Sequence, residues 1–260
     1  MNHRRIPVDR IPEFIQDYTA NKMRTEDILK KYGCSWNTLY ATLERCNIPK
    51  RGFRLTTAND AFFDILTPAS SWVLGLWVTD GSVEHRGNFY SVRIGFSNEA
   101  LTRIVHDLLE TDVAISYSSS KRFWSFHVSS KRLYLALARL GVVERKTFRT
   151  RLPVVPESCL PHLIRGVVDG DGTVYFRHRP QRADQCYISI VSVSQMFLDD
   201  IQEHLQKALG ISGTMQANKN YYRLTFFHRE SRILATWMYR DSEGLRYLEK
   251  YHRCAQLFSC

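Results

Sequence analysis

Hydrophobic positions along this chain follow two periods, and the order in which those periods occur repeats. In TEDILKKYGCSWNTLYATLERCNI (25–48), Ile28, Leu29 and Tyr32 form one helical stripe, and Leu39 and Leu43 recur at i, i+4 in a second. Gly33 can take the positive φ that stops the first helix, and Ser35 is a good N-cap for the second. Further on, YSVRIGF (90–96) alternates, with Val92, Ile94 and Phe96 on one face and Ser91 and Arg93 on the other. That is the period of a half-buried strand. FWSFHV (123–128) and YYRLTFFH (221–228) also read as strands, and Leu101, Ile104, Val105 and Leu108 stripe a helix between strand pairs.

The repeat is the strongest signal. VLGLWVTDGSV (73–83) matches RGVVDGDGTV (165–174), placing Asp80 over Asp171 at an offset of 171 − 80 = 91. SNEALTRIVHDLL (97–109) matches SQMFLDDIQEHLQ (194–206) at offset 97, and KRLYLALARL (131–140) matches SRILATWMYR (231–240) at offset 100. Each copy reads as an apolar helix ending in D-G, a strand pair, an amphipathic helix, a second strand pair and a closing helix. The growing offset predicts loop insertions in the second copy, one of them the polar stretch RHRPQRADQ at 177–185. The expected fold class is α+β, two pseudo-symmetric halves whose sheets together make a basic saddle. Expected domains are 1–55, a linker at 56–67, a first half at 68–150 and a second at 151–260.

Charge narrows the partner. The 260 residues carry 36 Lys plus Arg against 26 Asp plus Glu, a net +10, with 44% hydrophobic residues, enough for a substantial core. Such a surplus points to a polyanion, and a β-saddle suits a DNA duplex. No apolar run approaches the roughly 20 residues of a membrane span, and MNHRRIPVDR lacks the apolar core of a signal peptide. Six scattered cysteines without a C-x-x-C pair suggest neither zinc nor a disulfide framework, so a reducing, cytoplasmic compartment is expected. Residues 1–55 are markedly basic, and the helix, Gly turn and Ser-opened helix match a helix-turn-helix module. Trp36, Asn37, Thr38 and Tyr40 would then face bases, the alternative for Trp36 being a core aromatic.

Asp80 and Asp171 stand where a helix ends, against the roughly half negative charge of its C-terminus. One D-G-[ST]-V is ordinarily a hairpin turn. Two at matched positions of a duplicated unit suggest instead that a cation offsets both negative contributions. Gly75, Gly166 and Gly170 would let the two apolar helices approach closely, bringing the carboxylates together. Carboxylate and carbonyl oxygens are hard ligands that Mg²⁺ selects, and metals beside a duplex hydrolyse phosphodiesters. Nine histidines fall in neither H-x₃-H nor H-E-x-x-H spacing.

VLGLWVTDG (73–81) and IRGVVDGDG (164–172) resemble the paired motifs of the LAGLIDADG homing endonucleases, single-chain two-motif type, over residues 68–252. The first copy departs at Val78, where the family's first Asp stands, and at the bulky Trp77. The resemblance implies an αββαββα fold per half and cleavage of both DNA strands with Mg²⁺, Mn²⁺ substituting. It implies metal held by Asp80, Asp171 and the carbonyls of Thr79 and Gly170, with basic catalytic residues at Lys146 and, in YRDSEGLRYLEKY, Lys250. Arg86, Arg93, Lys121, Arg122, Arg177, Arg179 and Arg223 are expected to line the DNA face. The alternatives on the same fold are a DNA-binding regulator without catalysis and an RNA-splicing maturase; retention of both acids speaks against the first. Without splicing blocks beside Met1 or LFSC, an intein is not expected. A monomer is expected, the pseudo-twofold being internal, in a prokaryotic, phage or organellar setting.

Overall fold

Residues 5–19, 23, 25–48, 57–144, 150–179 and 182–258 are described by a computed structural model of the chain. It divides into two units, residues 1–57 and 58–260. In the first, a 3-10 turn at Val8–Arg10 leads into α1 (Ile11–Thr19), followed by α2 (Thr25–Tyr32) and α3 (Trp36–Arg45). Ile28, Leu39 and Leu43 are fully buried, Gly33 has φ 59°, and the Ser35 hydroxyl accepts the Thr38 N–H at 3.3 Å. Both expected helices thus form. The sequence reading missed α1, whose Phe14 and Tyr18 complete this small core, although Ile11, Phe14, Ile15 and Tyr18 have the right spacing.

The second unit runs α4 (Pro68–Asp80), β1 (Ser82–Arg86), β2 (Phe89–Phe96), α5 (Glu99–Leu108), β3 (Ser116–Ser118), β4 (Phe123–Val128) and α6 (Lys131–Arg139). The same order follows as α7 (Leu160–Asp171), β5 (Gly172–Arg179), β6 (Arg182–Ser192), α8 (Gln195–Leu209), β7 (Thr214–Ala217), β8 (Tyr222–Phe227) and α9 (His228–Tyr239), with α10 (Leu248–Ala255) appended. Each half holds one antiparallel sheet, β1-β2-β4-β3 and β5-β6-β8-β7. Val83, Val92, Ile94, Phe126 and Val128 are buried on one side of the first sheet, while Arg93 and its partner His127 are exposed on the other. The alternation read from YSVRIGF is the one found.

Three expectations need correction. The matched segments align through their caps: Asn98 caps α5 on the Leu101 N–H and Ser194 caps α8 on the Phe197 N–H, an offset of 194 − 98 = 96, not 97. Strand pairing sets the last offset, since Ile94 pairs Phe126 as Ile190 pairs Leu224, giving 224 − 126 = 98, not 100. Side-chain similarity had aligned Ser97 with Ser194, whereas the capping hydrogen bond selects the residue. Second, the insertion at 177–185 is present, the offset growing from 91 at Val174 to 96 at Ile188, but it is not a loop. β5 and β6 lengthen into a hairpin that pairs Arg177 with Gln185 and Arg179 with Arg182, with a register shift between. Third, residues 58–67 are no free linker: Phe63 is buried, with its ring 6.0 Å from and perpendicular to Trp77, and Thr67 forms a capping box with Ser70 at the start of α4.

Helices α4 and α7 pack backbone against backbone at the centre of this unit. A Cβ added to Gly75 would lie 2.3 Å from the Leu163 carbonyl oxygen, and one added to Gly166 would lie 2.1 Å from that of Trp72. Leu163 and Trp72 are themselves matched by the 91-residue offset, so the contact is a pseudo-twofold one. Nine residues of each helix are buried, as apolar helices with no solvent face require.

Candidate active site

Asp80 and Asp171 are the last residues of α4 and α7, both exposed, at the ends that the glycine contact draws together. The approach is close at this end too: a Cβ on Gly170 would lie 2.1 Å from Thr79 Oγ1 and 2.6 Å from Asp80 Oδ2. Thr79 Oγ1 donates to Asp80 Oδ2 at 2.9 Å. The last intrahelical N–H groups serve Trp77 and Val168, from Gly81 and Gly172, so the carbonyls that follow project from the helix ends.

Two clefts flank the helix ends in pseudo-symmetric fashion. One is lined by Asp80, Ser97, Asn98, Asp169, Gly170 and Lys250, the other by Asp171, Ser192, Val193, Val78, Thr79 and Thr150. Each therefore takes the acid of one half and the residue before the acid of the other. This pairs Asp80 with Gly170 and Asp171 with Thr79.

Lys250, on α10, donates to the Val168, Asp169 and Gly170 carbonyls at 2.8, 2.7 and 2.9 Å. The ammonium thus closes the C-terminus of α7. Burial lowers its pKa, while Asp169, Asp80 and Asp171 draw it back up, so it feels both exposed acids. What fixes α10 is Asp169, the residue of the second motif that matches Val78 of the first. Its carboxylate is buried and accepts from Trp72 Nε1 at 2.9 Å, Tyr239 Oη at 2.7 Å and the Tyr247 backbone N–H at 3.1 Å. Burial raises its pKa against those hydrogen bonds. The family's first Asp position gave a signal for it; nothing in the sequence gave its partners. Arg165 is buried too, donating to the Leu245 and Met238 carbonyls at 2.7 Å each, and burial lowers its pKa to about 10.

The expected DNA-facing residues fall as follows. Arg86 and Arg93 lie on the open face of the first sheet, Arg86 joined to Glu84 at 2.6 Å, and Arg177 lies at the position of the second sheet matching Arg86. Arg223 lies on that second open face, its guanidinium 3.4 Å from Tyr221 Oη. Lys121 and Arg122 are exposed in the β3–β4 turn, Arg122 with φ 50°. Arg179 pairs through its backbone; its side chain, and all of Lys146, lie outside the described residues. In the first unit Trp36 is 45% exposed and Asn37 is exposed, with Thr38 and Tyr40 half-buried, so Trp36 is not a core aromatic.

A divalent metal fits this donor set. Exposed carboxylates beside helix-terminal carbonyls are hard oxygen ligands. Among the described residues no cluster of three or more His, Cys, Asp or Glu side chains competes as a softer site. Nor, among them, is any helix long and apolar enough to cross a membrane.

Comparison with known proteins agrees with this geometry. Residues 160–234 match the family model described as the LAGLIDADG-like domain. No curated protein matches the chain in sequence. Among solved structures, the LAGLIDADG meganuclease I-AabMI bound to uncleaved DNA is similar with TM-score 0.53 at 12% identity, covering 75% of this chain and 90% of that one. The homing endonuclease I-WcaI bound to its DNA recognition sequence gives 0.50 at 8%, covering 74% and 90%. A point variant of I-DmoI with its target DNA in 2 mM Mg gives 0.50 at 19%, covering 71% and 98%. With a LAGLIDADG-like domain at 160–234, two four-stranded sheets and paired motif helices, the chain has the two-half saddle fold of the LAGLIDADG homing endonucleases.

Proposed function

We propose that this chain is a site-specific DNA endonuclease that hydrolyses one phosphodiester on each strand of a long target, acting as a monomer. The observation that carries the reading is the pair of exposed acids, Asp80 and Asp171, ending two helices packed through Gly75 and Gly166. Each carboxylate stands at a helix C-terminus, whose partial negative charge disfavours an anion, an arrangement that suits metal capture. Asp80 with the Gly170 carbonyl, and Asp171 with that of Thr79, would hold Mg²⁺, for which Mn²⁺ substitutes. When bound, the metal supplies Lewis-acid stabilisation of the charge developing on the scissile phosphate. Lys250 holds the α7 carbonyls in place and adds positive potential beside both acids. Lys146, which lies outside the described residues, is proposed as the second basic catalytic residue, polarising the attacking water or stabilising the charged transition state. Arg86, Arg93, Lys121, Arg122, Arg177, Arg179 and Arg223 hold and read the duplex.

The retained acids favour cleavage over a regulator role. Incubating the protein with a random-sequence duplex library and Mg²⁺, then sequencing the cut ends, tests the reading: one motif cut on both strands is expected, and uncut libraries reject it. The first unit is proposed to add a helix-turn-helix contact through Trp36, Asn37, Thr38 and Tyr40. Deleting residues 1–57 is expected to shorten the footprint at one end without moving the cut.

A further inference from the structure

The open faces of the two sheets carry different chemistry at matching positions. Across the second sheet Tyr175 pairs with Tyr187, which pairs with Phe227, the rings stacked at 4.9 Å and then edge-on at 5.4 Å. This row lies opposite the helices, because its strand neighbours Val174, Ile188 and Phe226 are buried beneath. Tyr187 is 8% exposed, whereas Tyr175 and Phe227 are 40% and 41% exposed and present two apolar surfaces beside a covered ring. In the first sheet the matching pair is Glu84 and Ser91. The adjacent rows are exchanged as well. Where the first sheet exposes Arg93 paired with His127, the second has Ser189 and Thr225, whose hydroxyls bond each other at 3.0 Å and need no outside partner.

Cross-strand aromatics stabilise a sheet, but stability alone does not place two exposed rings between arginines. Arg177 lies one row beyond the aromatics and Arg223 two rows to the other side, so the face is built for a polyanion while its middle is apolar. In the major groove the apolar group that a base pair presents is the C5-methyl of thymine. We propose that the second half reads its half-site by packing Tyr175 and Phe227 against pyrimidine C5-methyl groups, while the first half reads through hydrogen bonds from Arg93 and His127. This rests on the endonuclease reading above, and names the base chemistry each half recognises.

The test uses the full chain and a duplex selected by it from a random library in EDTA. Each thymine is replaced singly by deoxyuridine, which removes only the methyl, and affinity is measured. At one or more thymines of one half-site the loss expected is about fourfold, the equivalent of the roughly 0.8 kcal/mol for one buried methyl. The other half-site is expected to be indifferent. In Tyr175→Ala and Phe227→Ala the thymine-to-uridine difference should vanish, and Tyr175→Phe should keep it; both positions are on the surface. Replacing cytosines by 5-methylcytosine at the same steps shows whether thymine itself or any C5-methyl is read. A selected duplex with no methyl dependence, or one unchanged in both alanine variants, overturns this inference alone. Failure to select any duplex overturns the DNA reading and this inference together.

Discussion

The indole N–H of Trp72 in α4 donates to Asp169 Oδ2 in α7 at 2.9 Å, joining the two halves through a bond that has no pseudo-symmetric twin. The 91-residue offset places Leu163 opposite Trp72 and Val78 opposite Asp169, so one half has a polar anchor where the other has apolar packing. The anchor also seats Tyr239 and the chain entering α10, and hence Lys250. Replacing Asp169 by Leu strands two buried donors and one part-buried one, a buried donor costing about 1–3 kcal/mol. Asp169→Leu should therefore lower unfolding free energy by several kcal/mol in urea titrations, whereas Val78→Ile, which adds one methylene, should cost no more than about 1–3 kcal/mol.

Asp80→Asn and Asp171→Asn should each abolish double-strand cleavage, by a hundredfold or more in rate if several kcal/mol of metal stabilisation is lost. Affinity for DNA should change little, because both acids are exposed at the helix ends and Asn keeps the shape of the side chain. Wild-type rates in plasmid linearisation by both variants would exclude the assignment; nicking by one of them agrees with two unequal centres.

Gly75→Ala tests the helix contact. The added Cβ would meet a backbone carbonyl and the facing Gly166 Cα at 2.8 Å, neither of which is the end of a flexible side chain. Destabilisation of at least about 1–3 kcal/mol is expected, together with lost cleavage as the helix ends separate. Gly166→Ala should behave alike, because the same contact is made from the other side. Thermal melts alongside cleavage assays show whether stability and activity fall together.

Arg93→Ala should relax preference at one base position, costing roughly 1–3 kcal/mol at the preferred base, if the guanidinium reads a guanine edge. A phosphate contact would instead weaken all sequences alike and make the log–log salt slope shallower by about 0.9. The first outcome is expected, since Arg93 sits beside His127 in the middle of the open face rather than at the hairpin tip. Affinities for single-base variants at several salt concentrations separate the two.

His162 is buried in α7, and its Nδ1 has no hydrogen-bond partner among the described residues. Burial first, then the charge of Arg165, lowers its pKa, with Asp241 opposing. Above about pH 6.5, the usual histidine value, it is neutral in folded and unfolded chains alike. As pH falls below that value the unfolded chain takes up the proton first, so stability is lost until the lowered folded pKa is passed. Urea midpoints should fall between pH 7 and pH 5.5, less steeply in His162→Gln; equal slopes would remove this histidine from the account.

The periods and the repeat were legible because burial is enforced locally. A strand with one helix-covered face must alternate, as Val92, Ile94 and Phe96 do, and a duplicated D-G at the end of an apolar helix survives as a visible pair. The helix start at Ser35 is likewise short-range, a side chain bonding an N–H three residues on. Charge surplus and the motif resemblance then pointed to DNA and to Asp80 and Asp171. The tertiary structure alone decided what depends on residues far apart in the chain. Asp169 reads as a motif letter until Trp72, Tyr239 and Tyr247 converge on it, 97, 70 and 78 positions away. Lys250 becomes the cation of the α7 terminus only because that anchored segment turns back onto it. The correct offsets, 96 and 98, came from caps and strand register rather than from residue similarity, since hydrogen bonds are directional and side-chain likeness is not. The aromatic row of Tyr175, Tyr187 and Phe227 exists only once three strands are laid side by side.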